Sequence, residues 1–194
     1  MKRNFLLILS SPSGAGKTTI CKFIMQTFTS FKMSVSATTR QPRSGEVDGK
    51  EYFFLSKEDF ELKIKEEQFL EHARVFTNLY GTPKFFVEQT LAKGFNILFD
   101  IDYQGANQIK EKNDFDVVSL FILPPSIEAL KQRLIARGLD TQNAINIRLK
   151  TAEEELRHTG LYDYVVINDD LDKCKDEVEK IINLEVKKRQ MIND

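Results

Sequence analysis

At 194 residues the chain is long enough for one domain with a full core, or for one domain carrying inserted flaps. Its formal net charge of −1, with 29% charged residues, offers no basic field for nucleic acid and no polybasic patch for a membrane surface. Any anion must therefore be recognised by local clusters of cations. Cys21 and Cys174 lie far apart without metal-ligand spacing and read as reduced thiols of a reducing compartment, the cytoplasm. The opening Met1-Lys2-Arg3-Asn4 ahead of apolar residues resembles the start of a signal peptide, but the apolar run is too short for one. No stretch is long enough to span a membrane, and there is no internal repeat or low-complexity segment.

The first informative stretch is Phe5 to Thr19. Phe-Leu-Leu-Ile-Leu is a buried-strand signal. It runs into Ser11-Pro12-Ser13-Gly14-Ala15-Gly16-Lys17-Thr18-Thr19, and then into an amphipathic helix over 17–29 with Ile20, Phe23, Ile24 and Phe28. Gly14 and Gly16 allow positive φ and close approach of the backbone to a ligand, so N–H groups converge at a helix N-terminus. Lys17 would reach terminal phosphates, and the Thr18 hydroxyl is placed to ligate Mg²⁺. The pattern G-x-x-x-x-G-K-[ST] fails at its first position, which is Ser11. The competing reading is an ordinary βα turn with a surface lysine.

Phe31 to Thr39 has strand-like content. Residues 40–52 form a loop punctuated by Pro42, Gly45 and Gly49. Its Arg40, Arg43 and Tyr52 are either phosphate donors or parts of a solvated turn. Tyr52-Phe-Phe-Leu is a short strand, and Ser56 with Asp59 resembles a capping box for a helix carrying Phe60 and Ile64. Phe69 to Phe76 alternates as a strand, and within it Glu71 is either solvent-facing or a ligand contact. Asn78 to Thr82 reads as a turn. Thr82-Pro83 reads as N-cap and first residue of a helix that ends at Lys93-Gly94.

Phe95 to Asp102 is a second strand running into a helix, with Asp100 and Asp102 at its carboxyl end. These acids and the phosphate loop should face one crevice. Val117–Leu123 is another buried strand, and Ile127, Leu130 and Leu134 mark the next helix. Arg133, Arg137 and Arg148 bracket the polar segment 138–143, which suits a mobile cover. The helix after it carries Ile145, Leu149, Ala152 and Leu156 on one stripe, at offsets of four, seven and eleven, with Arg148 off that stripe. Asp163–Asn168 reads as a fifth parallel strand, and a last helix over about 172–191 buries Cys174, Val178 and Ile181. Alternating strands and helices predict a parallel-sheet, three-layer α/β domain, with 33–93 as an irregular insertion.

Five blocks make the chain resemble the guanylate kinase family over nearly its whole length. They are Ser11-Pro-Ser-Gly-Ala-Gly-Lys-Thr, Val35-Ser-Ala-Thr-Thr-Arg-Gln-Pro-Arg-Ser-Gly-Glu, Leu79-Tyr-Gly-Thr, Phe99-Asp-Ile-Asp-Tyr-Gln-Gly and Val166-Ile-Asn-Asp-Asp. The second and fourth are far more specific than the phosphate loop. The resemblance implies a P-loop kinase core over about 1–32, 94–135 and 158–194, a mixed α/β GMP-binding flap over about 33–93 and a helical lid over about 136–157. It implies phosphoryl transfer from ATP with Mg²⁺ to GMP, and to dGMP, with no nucleic acid or membrane partner. Residues 11–19 would hold ATP, with Asn168 near the adenine. Arg40, Arg43, Tyr52 and Tyr80 would hold the GMP phosphate. Ser36, Glu71, Thr82 and Asp102 would surround the guanine, with Asp100 beside them. Lys17, Arg40, Arg133, Arg137 and Arg148 would act on the transferring phosphate. Besides Ser11, His72 departs from an aromatic seen in some relatives and should support the flap; His158 belongs to no motif and reads as a surface helix residue.

The chemistry agrees with these residue types. Guanine presents N1–H and N2–H on one edge, and a carboxylate at Glu71 can accept both. Adenine would leave that acid unpaired, a discrimination of about 10⁴ or more. Phosphoryl transfer needs charge neutralisation and alignment, so no Ser, Cys or His nucleophile is expected. Two other readings remain: a non-catalytic phosphopeptide-binding module of the same fold, and a kinase of another nucleoside monophosphate. Lys17 and Thr18 weigh against the first, and Glu71 with Ser36 against the second. Oligomeric state is not legible in the sequence.

Overall fold

The computed structural model describes residues 4–75, 77–112, 114–138 and 140–191. Met1, Lys2, Arg3, Phe76 and Leu139, which figured in the sequence reading, lie outside them, as do 113 and 192–194. Strands β1 (Leu6–Ser10), β2 (Phe31–Met33), β7 (Asn96–Asp100), β8 (Val117–Leu123) and β9 (Tyr164–Ile167) form one sheet in the order β2-β7-β1-β8-β9. Every pairing in it is parallel, with Leu7 level with Leu98 on one side and Val118 on the other.

Side chains alternate across a strand, so β1 feeds two cores. Phe5, Leu7 and Leu9 pack with Ile20 and Ile24 of α1 (Lys17–Thr27) and with Cys174, Val178 and Ile182 of α7 (Leu171–Met191). Leu6 and Ile8 pack on the other face with Phe99, with Val87 of α3 (Lys84–Ala92) and with Ala106 and Ile109 of α4 (Tyr103–Lys112). The three-layer prediction is met. Within α7 Cys174 and Val178 are buried as predicted, but the third apolar residue inside is Ile182, and Ile181 is only partly buried; the helix turns Ile182 inward with Val178 and Glu185.

A second sheet has the order β4-β3-β6-β5, built from β3 (Ala37–Thr38), β4 (Phe53–Phe54), β5 (Phe69–Val75) and β6 (Asn78–Pro83). Three expectations change here. Phe31–Thr39 is not one strand: the chain leaves the first sheet after Met33 and joins the second at Ala37. Asn78–Thr82 is not a turn but a strand, because it pairs antiparallel with β5, Glu71 lying level with Thr82 and Ala73 with Tyr80. Thr82 is therefore a strand residue, and Pro83, which makes no side-chain cap, is the N-cap of α3. Phe60 of α2 (Lys57–Lys65) stacks on Phe69 at 4.4 Å beneath this sheet. Ser56 caps α2 as expected, accepting from the Asp59 N–H at 3.0 Å.

Helix α4 ties the two sheets together. Gln108 accepts from the His72 N–H at 3.0 Å and donates to its carbonyl at 2.8 Å, and Lys112 Nζ donates to the carbonyls of Phe69 and Leu70. Helices α5 (Ile127–Arg137) and α6 (Gln142–Leu156) share Leu130, Leu134, Ile145 and Ala152, with Leu149 beside them, so the predicted stripe is the packing face.

Far from the loop ends, Glu185 of α7 is buried and accepts from Tyr164 Oη, from Lys188 Nζ at 2.6 Å and from Arg189. Burial alone would raise its pKa, but the bonds from Lys188, Tyr164 and Arg189 outweigh that and hold it at about 2. A depressed carboxyl stabilises the fold above its unfolded value near 4.5, and that stability is lost as pH falls through about 2. Glu185→Ala should cost about 2 kcal/mol in urea unfolding at pH 7. The loss should shrink progressively below pH 4; a loss independent of pH would contradict the network.

Candidate active site

The loop after β1 is shaped by its glycines. Gly14 and Gly16 have φ of 97° and 104°, and Ala15 N–H closes a turn onto the Pro12 carbonyl at 3.0 Å. Gly16 is the N-cap of α1 and brings no side-chain cap, so the first-turn N–H groups are left for an anion. A Cβ on Gly16 would lie 2.3 Å from Asn168 Nδ2. Among the described residues Glu67 is the one non-glycine with positive φ. Ser11 thus sits in ordinary backbone space, buried, its hydroxyl donating to the Pro12 carbonyl at 3.1 Å. The first motif position needs no glycine here.

Asn168 lies at the carboxyl end of β9. It is buried, and its amide donates to the Ala15 carbonyl at 2.7 Å, while its own carbonyl accepts from Arg133 at 2.8 Å. In this structure the residue expected near the adenine holds the back of the phosphate loop.

Two clefts meet at the loop. One, of about 490 Å³, is lined by Ser11 to Gly14, Gly16 to Thr19, Arg133, Arg137 and Glu155. The other, of about 650 Å³, brings together Ser36, Tyr52, Glu71, Tyr80, Asp100 and Asp102 with Arg148 of α6. Ser13, Lys17 and Glu155 line both. Lys17 Nζ is paired with Asp100 at 2.7 Å. Acids and loop therefore face one crevice, at the carboxyl ends of β1 and β7.

On the wide side of the larger cleft Glu71 is 5% exposed, which removes the solvent-facing reading. Its Oε1 accepts from Thr82 at 2.7 Å, and a Cβ on Gly105 would lie 2.9 Å from Oε2. Thr82 thus stands behind the acid rather than on the cleft wall. Burial pushes the Glu71 carboxyl up to about 7; the Thr82 bond opposes this and the Asp102 charge adds to it. Asp102 accepts from the N–H groups of Gln104 (3.0 Å) and Gly105 (3.1 Å), capping α4. Arg40 does not line the cleft. It donates to Glu46 at 2.8 Å, which holds its pKa up, and packs over the rings of Tyr52 and Phe54. Arg43 offers its N–H to Glu46 at 2.7 Å, and its side chain is exposed.

Helix α6 turns a second stripe, one residue removed from its packing stripe, toward the cleft: Ala144, Ile147, Arg148, Thr151 and Glu155. Arg148 reaches Ser13 Oγ and pairs with Asp140 at 3.2 Å. Glu155 was not singled out in the sequence, although it stands two turns after Arg148. Burial raises its carboxyl to about 7, opposed by Lys17 and reinforced by Asp102. His158 is not a surface residue: it is half-buried and stacks on Tyr103 with centroids 4.1 Å apart.

The fold and the loop define a P-loop phosphotransferase-type domain. The guanylate kinase family model matches residues 3–185. A guanylate kinase of Rickettsia felis is 47% identical over 186 residues, covering 96% of each chain. One from Caldanaerobacter subterraneus subsp. tengcongensis is 49% identical over 181 residues, covering 93% of this chain and 87% of its own. The crystal structure of guanylate kinase from Anaplasma phagocytophilum superposes with a TM-score of 0.72 at 36% identity, over 95% of this chain and 87% of that one. The chain belongs to the guanylate kinase family.

Asn168→Ala leaves the Ala15 carbonyl without its donor inside the protein, an expected loss of about 1–3 kcal/mol in urea unfolding. Asn168→Asp, which sets an acceptor against that carbonyl, should lose more; an Asp variant as stable as wild type would contradict the brace.

Proposed function

We propose that this protein phosphorylates GMP at the expense of ATP, giving GDP and ADP, and accepts dGMP in the same pocket. The observation that carries this is the junction of two clefts at Lys17: a phosphate-binding loop on one side and a buried carboxylate, Glu71, on the other. ATP phosphates would lie on the N-terminus of α1 over residues 11–19, with Arg133 and Arg137 along the same cleft. The guanine edge would be read by Glu71, with Ser36, Asp102 and, from behind, Thr82. Arg40, Arg43, Tyr52 and Tyr80 would take the acceptor phosphate, Arg40 exchanging Glu46 for it.

Mg²⁺ fits the Thr18 hydroxyl, which is exposed into the loop cleft. Among the described residues no three His, Cys, Asp or Glu side chains form a metal cluster. That donor set suits an ion carried on the nucleotide's phosphates, which keeps most of its ligands from water and phosphate. When bound it would neutralise charge on the transferring group. Lys17 would leave Asp100 to meet the phosphates, and Arg148 would bring α6 over them. Within this reading, 33–93 and 136–157 are moving parts on a fixed core, and their closure excludes water. No helix among the described residues is long and apolar enough to cross a membrane. Cys21 and Cys174 are free and buried, their thiols raised to about 12 and 11 by burial; both suit the cytoplasm.

Coupled ADP-release assays with ATP, Mg²⁺ and GMP, AMP, UMP or no acceptor test the reading. Turnover is expected with GMP. Lys17→Ala should lower kcat by about 10³-fold, and an unchanged kcat would sink the loop assignment. GMP binding without turnover in the wild type would favour the phosphopeptide-binding alternative.

Glu71 must be ionised to accept two N–H groups, and its folded-state value lies near 7. KM for GMP should therefore rise as pH falls from 8 to 6. Glu71→Gln should raise it about 10²-fold or more and abolish the contribution of residue 71 to the pH slope. Equal slopes in the two proteins would contradict the base-reading role.

A further inference from the structure

Among the described residues Glu155 is the one acid that lines both clefts, and it comes from α6 rather than from the end of a strand. On α6 it follows Arg148 and Thr151 along the face turned to the cleft. Lys17 faces it from α1 and Asp102 from the end of β7, and Arg133 and Arg137 of α5 share the loop cleft with it. Among the described residues none of these cations forms an ion pair with it. Lys17 is paired with Asp100 at 2.7 Å, Arg133 donates to the Asn168 carbonyl, and Arg148 reaches Ser13 and Asp140.

A half-buried carboxylate beside a phosphate-binding loop has a definite consequence. A bare nucleoside triphosphate brings several negative charges to within a few ångströms of it, where the effective dielectric is far below that of water. The same nucleotide carrying a divalent cation brings a positive centre to that place. Asp100 ends a strand of the parallel sheet and Asp102 follows it, whereas Glu155 is carried by α6. In the closure proposed above Glu155 would travel with α6, so its interaction with the nucleotide would enter the closure equilibrium directly.

We propose that Glu155 is a specificity-determining residue that lets α6 settle over a cation-bearing nucleotide and opposes its settling over the bare one. The inference rests on the ATP-dependent reading above. It assigns no new metal ligand. Glu155 discriminates through its charge, at the wall where both clefts meet, and Thr18 remains the protein group offered to the ion.

The test is nucleotide affinity, read by calorimetry with a non-hydrolysable ATP analogue. It is measured with Mg²⁺ and with excess chelator, on wild type, Glu155→Gln and Glu155→Asp. In Glu155→Gln, affinity for the metal-free analogue should rise and the ratio of metal-loaded to metal-free affinity should fall roughly tenfold, the scale of one charge interaction across a partly buried cleft. Glu155→Asp, which keeps the charge, should restore most of the ratio. A merely structural role would lower both affinities together and leave the ratio in place, which would overturn the proposal. So would a Gln variant whose metal-free affinity is unchanged or weaker, since that is the behaviour of a protonated Glu155 donating to phosphate. Thermal melts of the three proteins, expected within a few degrees of each other, show that the comparison is made on folded chains. If wild type bound the analogue under neither condition, the ATP reading itself would fail and this inference with it. Tight metal-dependent binding by wild type with an unaltered ratio in Glu155→Gln would overturn the inference alone.

Discussion

A loop that points its N–H groups at an anion has to point carbonyls back into the protein. The most consequential of these is the Ala15 carbonyl, and the Asn168 amide supplies its donor at 2.7 Å. That single bond joins the end of β9 to the turn after β1, two strands with β8 between them in the sheet. It also explains Gly16 twice over. The residue takes a φ of 104°, and its missing side chain is the space that the Asn168 amide occupies. Arg133 then holds Asn168 by its carbonyl, so α5, the sheet edge and the loop form one chain of hydrogen bonds. The loop is braced because buried backbone groups must be paired.

The acceptor side is built on the same principle by one helix. Asp102 caps α4, Gly105 leaves room for the Glu71 carboxylate, Gln108 pairs both backbone groups of His72, and Lys112 takes two more carbonyls of β5. These positions recur at three- and four-residue spacing, along one face of the helix. A core helix therefore aligns a strand of the inserted sheet. The acid that would read the base is placed from the core even though its own strand belongs to the insertion. The bonds of His72 to α4 run through its backbone, while its ring lies 6.5 Å from that of Phe69.

What could be read from the sequence follows from where burial dominates. β1, β7 and β8 are covered on both faces, so they appear as apolar runs and were located to within a residue or two. The inserted sheet is different. Ala37–Thr38 spans two residues, and Asn78–Pro83 carries Asn, Gly and Pro, so local preference points to a turn. Only pairing with β5 makes it a strand. Family resemblance found most residues of the two clefts, since their chemistry is specific. It did not find Glu155, because on α6 the apolar stripe announces itself and the cleft stripe beside it is a mixture of Ala, Ile, Arg, Thr and Glu. It also gave no sign of the Asn168 bond to the Ala15 carbonyl, because a backbone carbonyl partner leaves no mark in a sequence.

Three of the six cations proposed for phosphate share one further feature. Lys17 is held by Asp100, Arg40 by Glu46 and Arg148 by Asp140. Such partly exposed pairs contribute little to stability. A phosphate dianion offers these cations shorter, multiply hydrogen-bonded contacts, so exchange of carboxylate for phosphate is favoured where geometry matches and not elsewhere. An extended polyanion that cannot enter the cleft meets three of these cations already paired. This reconciles a chain of net charge −1 with the sites proposed for two highly charged nucleotides: the positive charge is local.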